Sequence, residues 1–340
     1  MPILSGILLR AQNESLTLEA TDLNQSIRCT LPALIEEEGV AVVPAILFSN
    51  VVKKLPDAAV HLESNEDSLT ILCDTTSVSV KTLIAQDFPG FPEIDPSEAT
   101  NIPFSLFTNM VKKVERSVST DETRPIFAGI LVEVSEDTIK FVSTDSYRLA
   151  ITEASFANTG DSFTAVIPGS FMREIASLND LGNDISIGFN ENQIVVSYDN
   201  YTFINRKIEG TYPNYNQLLL DNPETTAVFN VKQLADAVDR TSLLGSKTAP
   251  VKFDINNASQ TVLVSSSTHD VGAAHVTISA EIEGNDIVIA FAYSYVLDGL
   301  RAIEGETARF ELQNSTRPGM FREDGDIRYT YLIMPVRIEQ

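Results

Sequence analysis

Histidine, cysteine and carboxylate are the side chains that would hold a metal or run a reaction, and their spacing here favours neither. His61, His269 and His275 form no HExxH-type ligand pair. His269 and His275 stand six apart in a strand-like run, on one face, which suits a surface or core role better than a metal site. Cys29 and Cys73, 44 positions apart, fit neither a disulfide framework nor a zinc site. They read as buried free thiols in a reducing cytosol. Gly245-Ser246-Lys247-Thr248 lacks the upstream glycine and the adjacent Gly-Lys pair of a phosphate loop. No nucleophile elbow and no glycine-rich dinucleotide loop occurs. The 47 Asp and Glu are scattered along the chain, and a solvated outer surface is their plainest role. The expectation is a protein without catalytic residues, metal or cofactor. A hydrolase with a cleft between domains would need a nucleophile and a base that this sequence does not offer.

The basic residues are better organised. Lys53-Lys54 ends the helix expected after Pro44. Asn109, Lys112, Lys113 and Arg116 share the polar face of a helix opened by Pro103; its apolar face carries Phe104, Phe107, Val111, Val114 and Val118. Pro168 opens another, with Phe171, Ile175 and Leu178 inward and Arg173 outward. Asn230 caps one more, with Leu234 and Val238 inward and Lys232 outward. Each polar face alone is a solvated helix surface. Repeated across similar domains, they would line one channel and meet phosphate. A net charge of −23 speaks against a nucleic-acid binder. Exposed charges are screened beyond about 8 Å at physiological salt, however, so an acidic exterior need not cancel a basic interior. The last helix is the weakest case, because Asp236 and Asp239 offset Lys232 and Arg240.

The elements that carry these residues repeat. Gly6-Ile7-Leu8-Leu9 and Thr21-Asp22 recur as Gly129-Ile130-Leu131-Val132 and Thr144-Asp145, 123 positions later. Val43-Pro44 and Asp87-Phe88-Pro89 recur as Ile167-Pro168 and Thr211-Tyr212-Pro213, 124 positions later. Ser294-Tyr295-Val296-Leu297 follows Ser170-Phe171-Met172-Arg173 by another 124. A period this long means tandem domains rather than a solenoid, and 340 residues hold two or three. Alternation at Leu16, Leu18 and Ala20, and at Ile139 and Phe141, marks half-buried strands. The fold class is therefore α+β: three copies of a unit of antiparallel strands backed by a few helices, over 1–98, 99–223 and 224–340. Proline-rich joints run from Phe88 to Pro96 and from Tyr212 to Pro223. Copy two begins near Asn101, which puts the matching start about 22 residues before Met1. The first copy is expected to lack its opening strand and helix.

The N-terminus has no basic signal-peptide region, which argues against an extracellular adhesin. The longest apolar stretch, Gly39 to Phe48, is too short to span a bilayer. A soluble, cytoplasmic protein is expected.

Five segments carry a family resemblance: Arg124-Pro125-Ile126-Phe127-Ala128-Gly129-Ile130, Ser143-Thr144-Asp145-Ser146-Tyr147-Arg148-Leu149-Ala150, Gly210-Thr211-Tyr212-Pro213-Asn214-Tyr215, Phe291-Ala292-Tyr293-Ser294-Tyr295-Val296-Leu297-Asp298, and the ending Tyr331-Leu332-Ile333-Met334-Pro335-Val336-Arg337. In order and over the whole chain, they resemble the bacterial sliding clamp, the beta subunit of DNA polymerase III. The resemblance implies a non-enzymatic clamp-type fold, antiparallel sheets outside and helices inside, forming a head-to-tail homodimer ring around duplex DNA, read without regard to sequence. It implies as partners a clamp loader, the polymerase III alpha subunit and other proteins that carry Gln-Leu-x-Leu-Phe-like peptides. The residues matching the peptide cleft are Phe127, Thr144, Ser146, Tyr147, Arg148, Leu149, Pro213, Gln217, Leu218, Leu332, Ile333, Met334, Pro335, Val336 and Arg337. The expected channel cations are Lys53, Lys54, Lys112, Lys113, Arg116, Arg124, Arg173 and Lys232. The expected subunit contact pairs Val78 and Val80, on the strand Thr76 to Lys81, with Leu243 and Leu244. Tyr147 departs from the family, which usually has histidine there.

Overall fold

A computed structural model of the chain describes residues 2–337 apart from 66, 93–98, 122, 158–159, 191, 221, 244–249 and 269–271. The first copy holds β1 (Gly6–Gln12), β2 (Ser15–Thr21), β3 (Gln25–Pro32), β4 (Gly39–Pro44), α1 (Ala45–Val52), β5 (Val60–Ser64), β6 (Ser68–Cys73) and β7 (Thr76–Lys81). The second holds β8 (Thr100–Pro103), α2 (Phe104–Val114), β9 (Gly129–Val134), β10 (Thr138–Thr144), β11 (Arg148–Ser155), β12 (Phe163–Pro168), α3 (Gly169–Ala176), β13 (Asp184–Asn190), β14 (Gln193–Tyr198) and β15 (Tyr201–Arg206). The third holds β16 (Thr225–Asn230), α4 (Val231–Ser242), β17 (Pro250–Asn256), β18 (Thr261–Thr268), β19 (Gly272–Ser279), β20 (Glu281–Gly284), β21 (Ile287–Ala292), α5 (Tyr293–Leu300), β22 (Thr307–Leu312), β23 (Gly319–Glu323) and β24 (Ile327–Ile333).

The structure explains why the repeated residues repeat. A Cβ on Gly6 would collide with Val42, and one on Gly129 with Val166, so each glycine lets matching strands close on their partners, β1 on β4 and β9 on β12. The Thr-Asp pair builds one turn twice. Thr21 Oγ1 accepts from the Leu23 amide and donates to the Gln25 carbonyl, and Asp22 Oδ1 accepts from the Asn24 and Gln25 amides. Thr144 and Asp145 make the same four bonds with Ser146, Tyr147 and Arg148. Leu23 and Ser146 both adopt φ near +80°, a left-handed conformation that non-glycine residues take only when bonds around it fix the turn.

Two compact units result, and neither coincides with a single copy. Residues 1–103 and 181–206 form one, and residues 104–180 and 207–340 the other. In the first unit, the sheet order is β4-β1-β2-β3-β15-β14-β13-β8, beside a separate β5-β6-β7 sheet. In the second, it is β12-β9-β10-β11-β24-β23-β22-β16-β20, beside β19-β18-β17-β21. The second copy thus gives one half-sheet to each unit. All these pairings are antiparallel.

Helix α2 packs on β10, β11 and α3; α4 packs on β17, β18, β19 and α5. Asn230 caps α4 by accepting from the Gln233 amide at 3.0 Å. Helix α1 has no such helical partner among the described residues. Its third residue, Leu47, is 48% exposed, whereas the third residue of α3, Phe171, is fully buried. One core cluster of the first unit is Leu9, Val43, Phe48, Leu69, Ile71 and Val80, with Leu16, Leu18 and Val78 packed on it. No helix of the described residues is long and apolar enough to cross a membrane.

Candidate functional site

The Thr144–Arg148 turn sits where β11 of the second copy joins β24 of the third. Arg148 pairs with Ile333 and Leu149 with Leu332 along that seam. Beyond the strand end, the Met334 amide donates to the Tyr147 carbonyl at 2.9 Å, and the Val336 amide to the Ala290 carbonyl at 2.8 Å. The β11–β24 ladder and the Met334–Tyr147 bond stitch two copies along one line, and the Val336–Ala290 bond ties the chain leaving β24 to its own domain. Beneath the turn, Leu131, Val142, Leu149, Ile151, Val166, Tyr215 and Leu332 form one apolar cluster, joined by Ile126, Ile208, Tyr212 and Leu219. Tyr212 packs edge-on against Phe127, their ring centroids 6.5 Å apart. Tyr212, Tyr215 and Leu219 thus bring the Pro213–Leu218 segment to the seam.

Of the residues expected in the cleft, Tyr147, Pro213, Gln217, Leu218, Met334, Val336 and Arg337 are exposed, with Phe127, Thr144 and Pro335 half-buried and Ser146 exposed on its turn. They outline a surface of apolar side chains with backbone groups at its edge, a form suited to an extended peptide. Four of the expected cleft residues, Leu149, Leu332, Ile333 and Arg148, are not free at the surface. Leu149, Leu332 and Ile333 are buried in the core beneath the turn, because both faces of their strands are covered. Arg148 is no free group at the rim. Its Nε donates to Asp145 Oδ2 at 2.9 Å and its Nη1 to Asp298 Oδ2 at 2.6 Å, with the Tyr331 hydroxyl 3.4 Å away. Burial opposes its charge, and Tyr331 and Asp298 more than offset that, so its pKa is raised further. Tyr147, the departure from the family, is largely exposed and stacks on Tyr295 at 6.5 Å.

Burial also pushes up the phenol pKa values of Tyr212 and Tyr215; for Tyr215 the carboxylate of Glu133, which accepts from its hydroxyl at 3.1 Å, adds to the effect. Asp145, Tyr295 and Asp298 are not among the residues expected in the cleft. The Thr-Asp repeat carried a signal for Asp145, and the segment Phe291 to Asp298 carried Tyr295 and Asp298 without showing that either meets Arg148 or Tyr147.

The cations divide. Lys112, Arg116, Arg173 and Lys232 are exposed on their helices or just beyond, as are Lys53 and Lys54 after α1. Arg173 is paired with Glu115 at 3.0 Å, and Arg116 lies 3.6 Å from Asp298. Lys113 overturns the expectation of a channel residue. It is 4% exposed; its ammonium donates to Glu323 Oε2 at 2.8 Å and to the Ala302 carbonyl at 2.9 Å, with the Tyr329 ring 5.5 Å away. That face of α2 is covered by the third copy. Arg124 also departs from the helix cations: it pairs with Asp121, donates to Ser146 Oγ at 2.9 Å and lies over Phe127.

The expected subunit contact is corrected as well. Val80 is 2% exposed and Val78 packs on the same cluster, so both point into the core of their own unit. The face of β7 away from that core carries Ser77, Ser79 and Lys81. Leu243 ends α4 and is 78% exposed. Leu244, His269 and the Gly245–Thr248 stretch lie outside the described residues. His61 and His275 are exposed, Cys73 is a buried free thiol, and burial raises the pKa of Cys29. Among the described residues, no group of three or more His, Cys, Asp or Glu is placed to hold a metal.

Three family models match in sequence order: the N-terminal domain of the DNA polymerase III beta subunit over residues 1–92, its central domain over 101–214 and its C-terminal domain over 216–337. The beta sliding clamp of Bacillus subtilis is 31% identical over 99% of this chain and 93% of its own length. The chain belongs to the beta sliding clamp family. A clamp from Staphylococcus aureus is 28% identical over 99% of this chain and 92% of its own. The B. subtilis sliding clamp crystal structure superposes with a TM-score of 0.93 over 100% of this chain and 93% of that one. The DNA polymerase III beta subunit of Thermotoga maritima gives 0.92 at 26% identity, over 99% and 92%. The three copies are three tandem clamp domains of mostly antiparallel sheet with few helices, and the seam between β11 and β24 joins the second of them to the third.

Proposed function

We propose that the chain is a non-catalytic processivity factor. A second copy joins it head to tail in a ring around duplex DNA, and the groove at Tyr147, Leu218 and Met334 tethers replication proteins through short peptides. The observation that carries this reading is the strand order. Inside the chain, one seam recurs: β3 of the first copy joins β15, the last strand of the second, and β11 of the second joins β24, the last strand of the third. Two strands remain unused by this rule. In the third copy β19 holds the place of β3 and β11, and it is a sheet edge; β7 is the last strand of the first copy, and it too is a sheet edge. An open edge is a template for another strand. A second chain satisfies both edges, and two chains of three copies give six similar domains, with boundaries near 1–98, 99–223 and 224–340.

Lys112, Arg116, Arg173, Lys232, Lys53 and Lys54 would then meet phosphate without reading sequence, and Arg124 would serve the groove. Polymerase III alpha subunit, clamp loader and repair proteins with Gln-Leu-x-Leu-Phe-like peptides are the partners this form suits, in the cytoplasm. Light scattering after gel filtration tests the reading: at micromolar concentration the peak is expected at twice the mass of the chain, and a monomer would overturn it.

A further inference from the structure

Arg301 is not among the cations expected in the channel, yet it closes α5 as Lys53 closes α1. The two helices are of equal length and end alike: the Arg301 amide donates to the Leu297 carbonyl and the Lys53 amide to the Ser49 carbonyl, each at 3.0 Å. Arg301 therefore stands in the third copy where the first carries a cation assigned to the channel. Its surroundings bring a second cation to the same place. Asp298, one turn earlier on α5, accepts from Arg148 Nη1 through Oδ2 at 2.6 Å. Its Oδ1 lies 3.5 Å from Arg301 Nη1 and 3.6 Å from the Nη1 of Arg116, just beyond α2 of the second copy. These last two contacts are long, and the side chains of Arg301 and Arg116 are 57% and 45% exposed. Exposed pairs of this kind add little to stability, so the fold alone does not account for two guanidinium groups at one oxygen. Nor does the local charge balance. Three guanidinium groups meet two carboxylates, with Asp145 paired to Arg148, which leaves a positive excess on a chain of net charge −23. The neighbouring Glu115 is paired with Arg173.

A guanidinium presents a planar fork of donors that fits phosphate. Two such forks approach one carboxylate oxygen here, so a single phosphate can bridge them, and the shared carboxylate has already restricted part of their rotamer freedom. We infer that Arg301 and Arg116 form a two-arginine site for one phosphodiester group where the second and third domains join, and that Arg301 is a contact to the backbone of encircled duplex DNA. The inference rests on the ring reading given above. It adds to that reading a residue and a stoichiometry, two arginines on one phosphate.

The test uses the full chain, a labelled blunt-ended duplex and fluorescence anisotropy, with salt raised in steps. Each phosphate neutralised adds about 0.9 to the slope of log affinity against log salt. Arg301→Gln and Arg116→Gln should each weaken binding about three- to tenfold at low salt. Each should lower the slope by clearly less than one, because the remaining arginine still neutralises the phosphate. The double variant should lower it by about one. Arg301→Lys keeps the charge and should keep the slope, while losing the affinity that the planar fork adds. Lys112→Gln is the control, expected to lower the slope by about one through a phosphate of its own. Arg301→Gln with wild-type affinity at every salt overturns the inference. So does a double variant whose slope falls by about two, the mark of two separate phosphates. A slope lowered by Lys112→Gln and untouched by the double arginine variant sinks the inference alone. Slopes unchanged in every variant, or a wild type that binds no duplex, refute the ring reading and the inference with it.

Discussion

Lys113 offers the sharpest separation of structure from function, because its neighbour Lys112 is exposed on the same helix. The pair with Glu323 is nearly dry, with side-chain exposures of 3% and 12%. Removing one partner of a buried pair costs about 3–5 kcal/mol when the other is stranded. Glu323 would not be wholly stranded by Lys113→Met, since its Oε1 also accepts from the Glu304 and Gly305 amides at 2.9 and 2.7 Å. That places Lys113→Met toward the lower end, about 3 kcal/mol. Glu323→Gln leaves the ammonium with the Ala302 carbonyl and no counter-charge, and about 4–5 kcal/mol is expected. The double variant should cost clearly less than the sum, because neither charge is then buried alone. Urea unfolding of the four proteins measures the cycle. The same set, titrated with duplex DNA against salt, should show Lys113→Met with the wild-type slope and Lys112→Gln with a slope lower by about one. Lys113→Met within 0.5 kcal/mol of wild type, or a lowered salt slope, would refute the assignment of this lysine to the domain seam.

Phe171→Ala should cost about 3–5 kcal/mol in chemical unfolding. Leu47→Ala, at the matching position of α1, should cost under about 1 kcal/mol because half of that side chain already meets water; equal costs would show that α1 is covered. Tyr329 is buried with no hydrogen-bond partner for its hydroxyl among the described residues. Tyr329→Phe should therefore be neutral or stabilising by up to about 2 kcal/mol. Burial also raises the phenol pKa values of Tyr329, Tyr331 and Tyr212. The unfolded chain loses those protons above pH about 10 while the folded chain keeps them, so stability present below pH about 10 should fall as pH rises beyond it. Unfolding at stepped pH checks the sign, and Tyr329→Phe should flatten the decline.

Much of the fold was legible because its constraints are local. Gly6 and Gly129 mark the same close strand approach, the Thr-Asp pairs mark the same turn, and Pro103, Pro168 and Asn230 sit at the starts of α2, α3 and α4. What stayed hidden depends on distant partners. Periodicity identified one apolar face of α2, yet a second face is covered as well, by residues around Glu323, 210 positions from Lys113. Alternation along β7 separated Val78 and Val80 from Ser77 and Ser79 without saying which set faced inward. The proposed peptide site is marked in the sequence only by segments around Leu149, Pro213 and Met334 that match the family. That Arg148 would be bound from two sides required knowing that α5 and β24 lie beside it.

The central claim is topological: a closed ring holds DNA by encircling it. The direct measurement loads the chain onto nicked circular plasmid with a clamp loader, isolates the complex by gel filtration at moderate salt, and then linearises the DNA. The account predicts retention on the circle and rapid loss from the freed ends. Equal retention on circular and linear DNA would mean that the protein is held by surface contacts, and would contradict the ring.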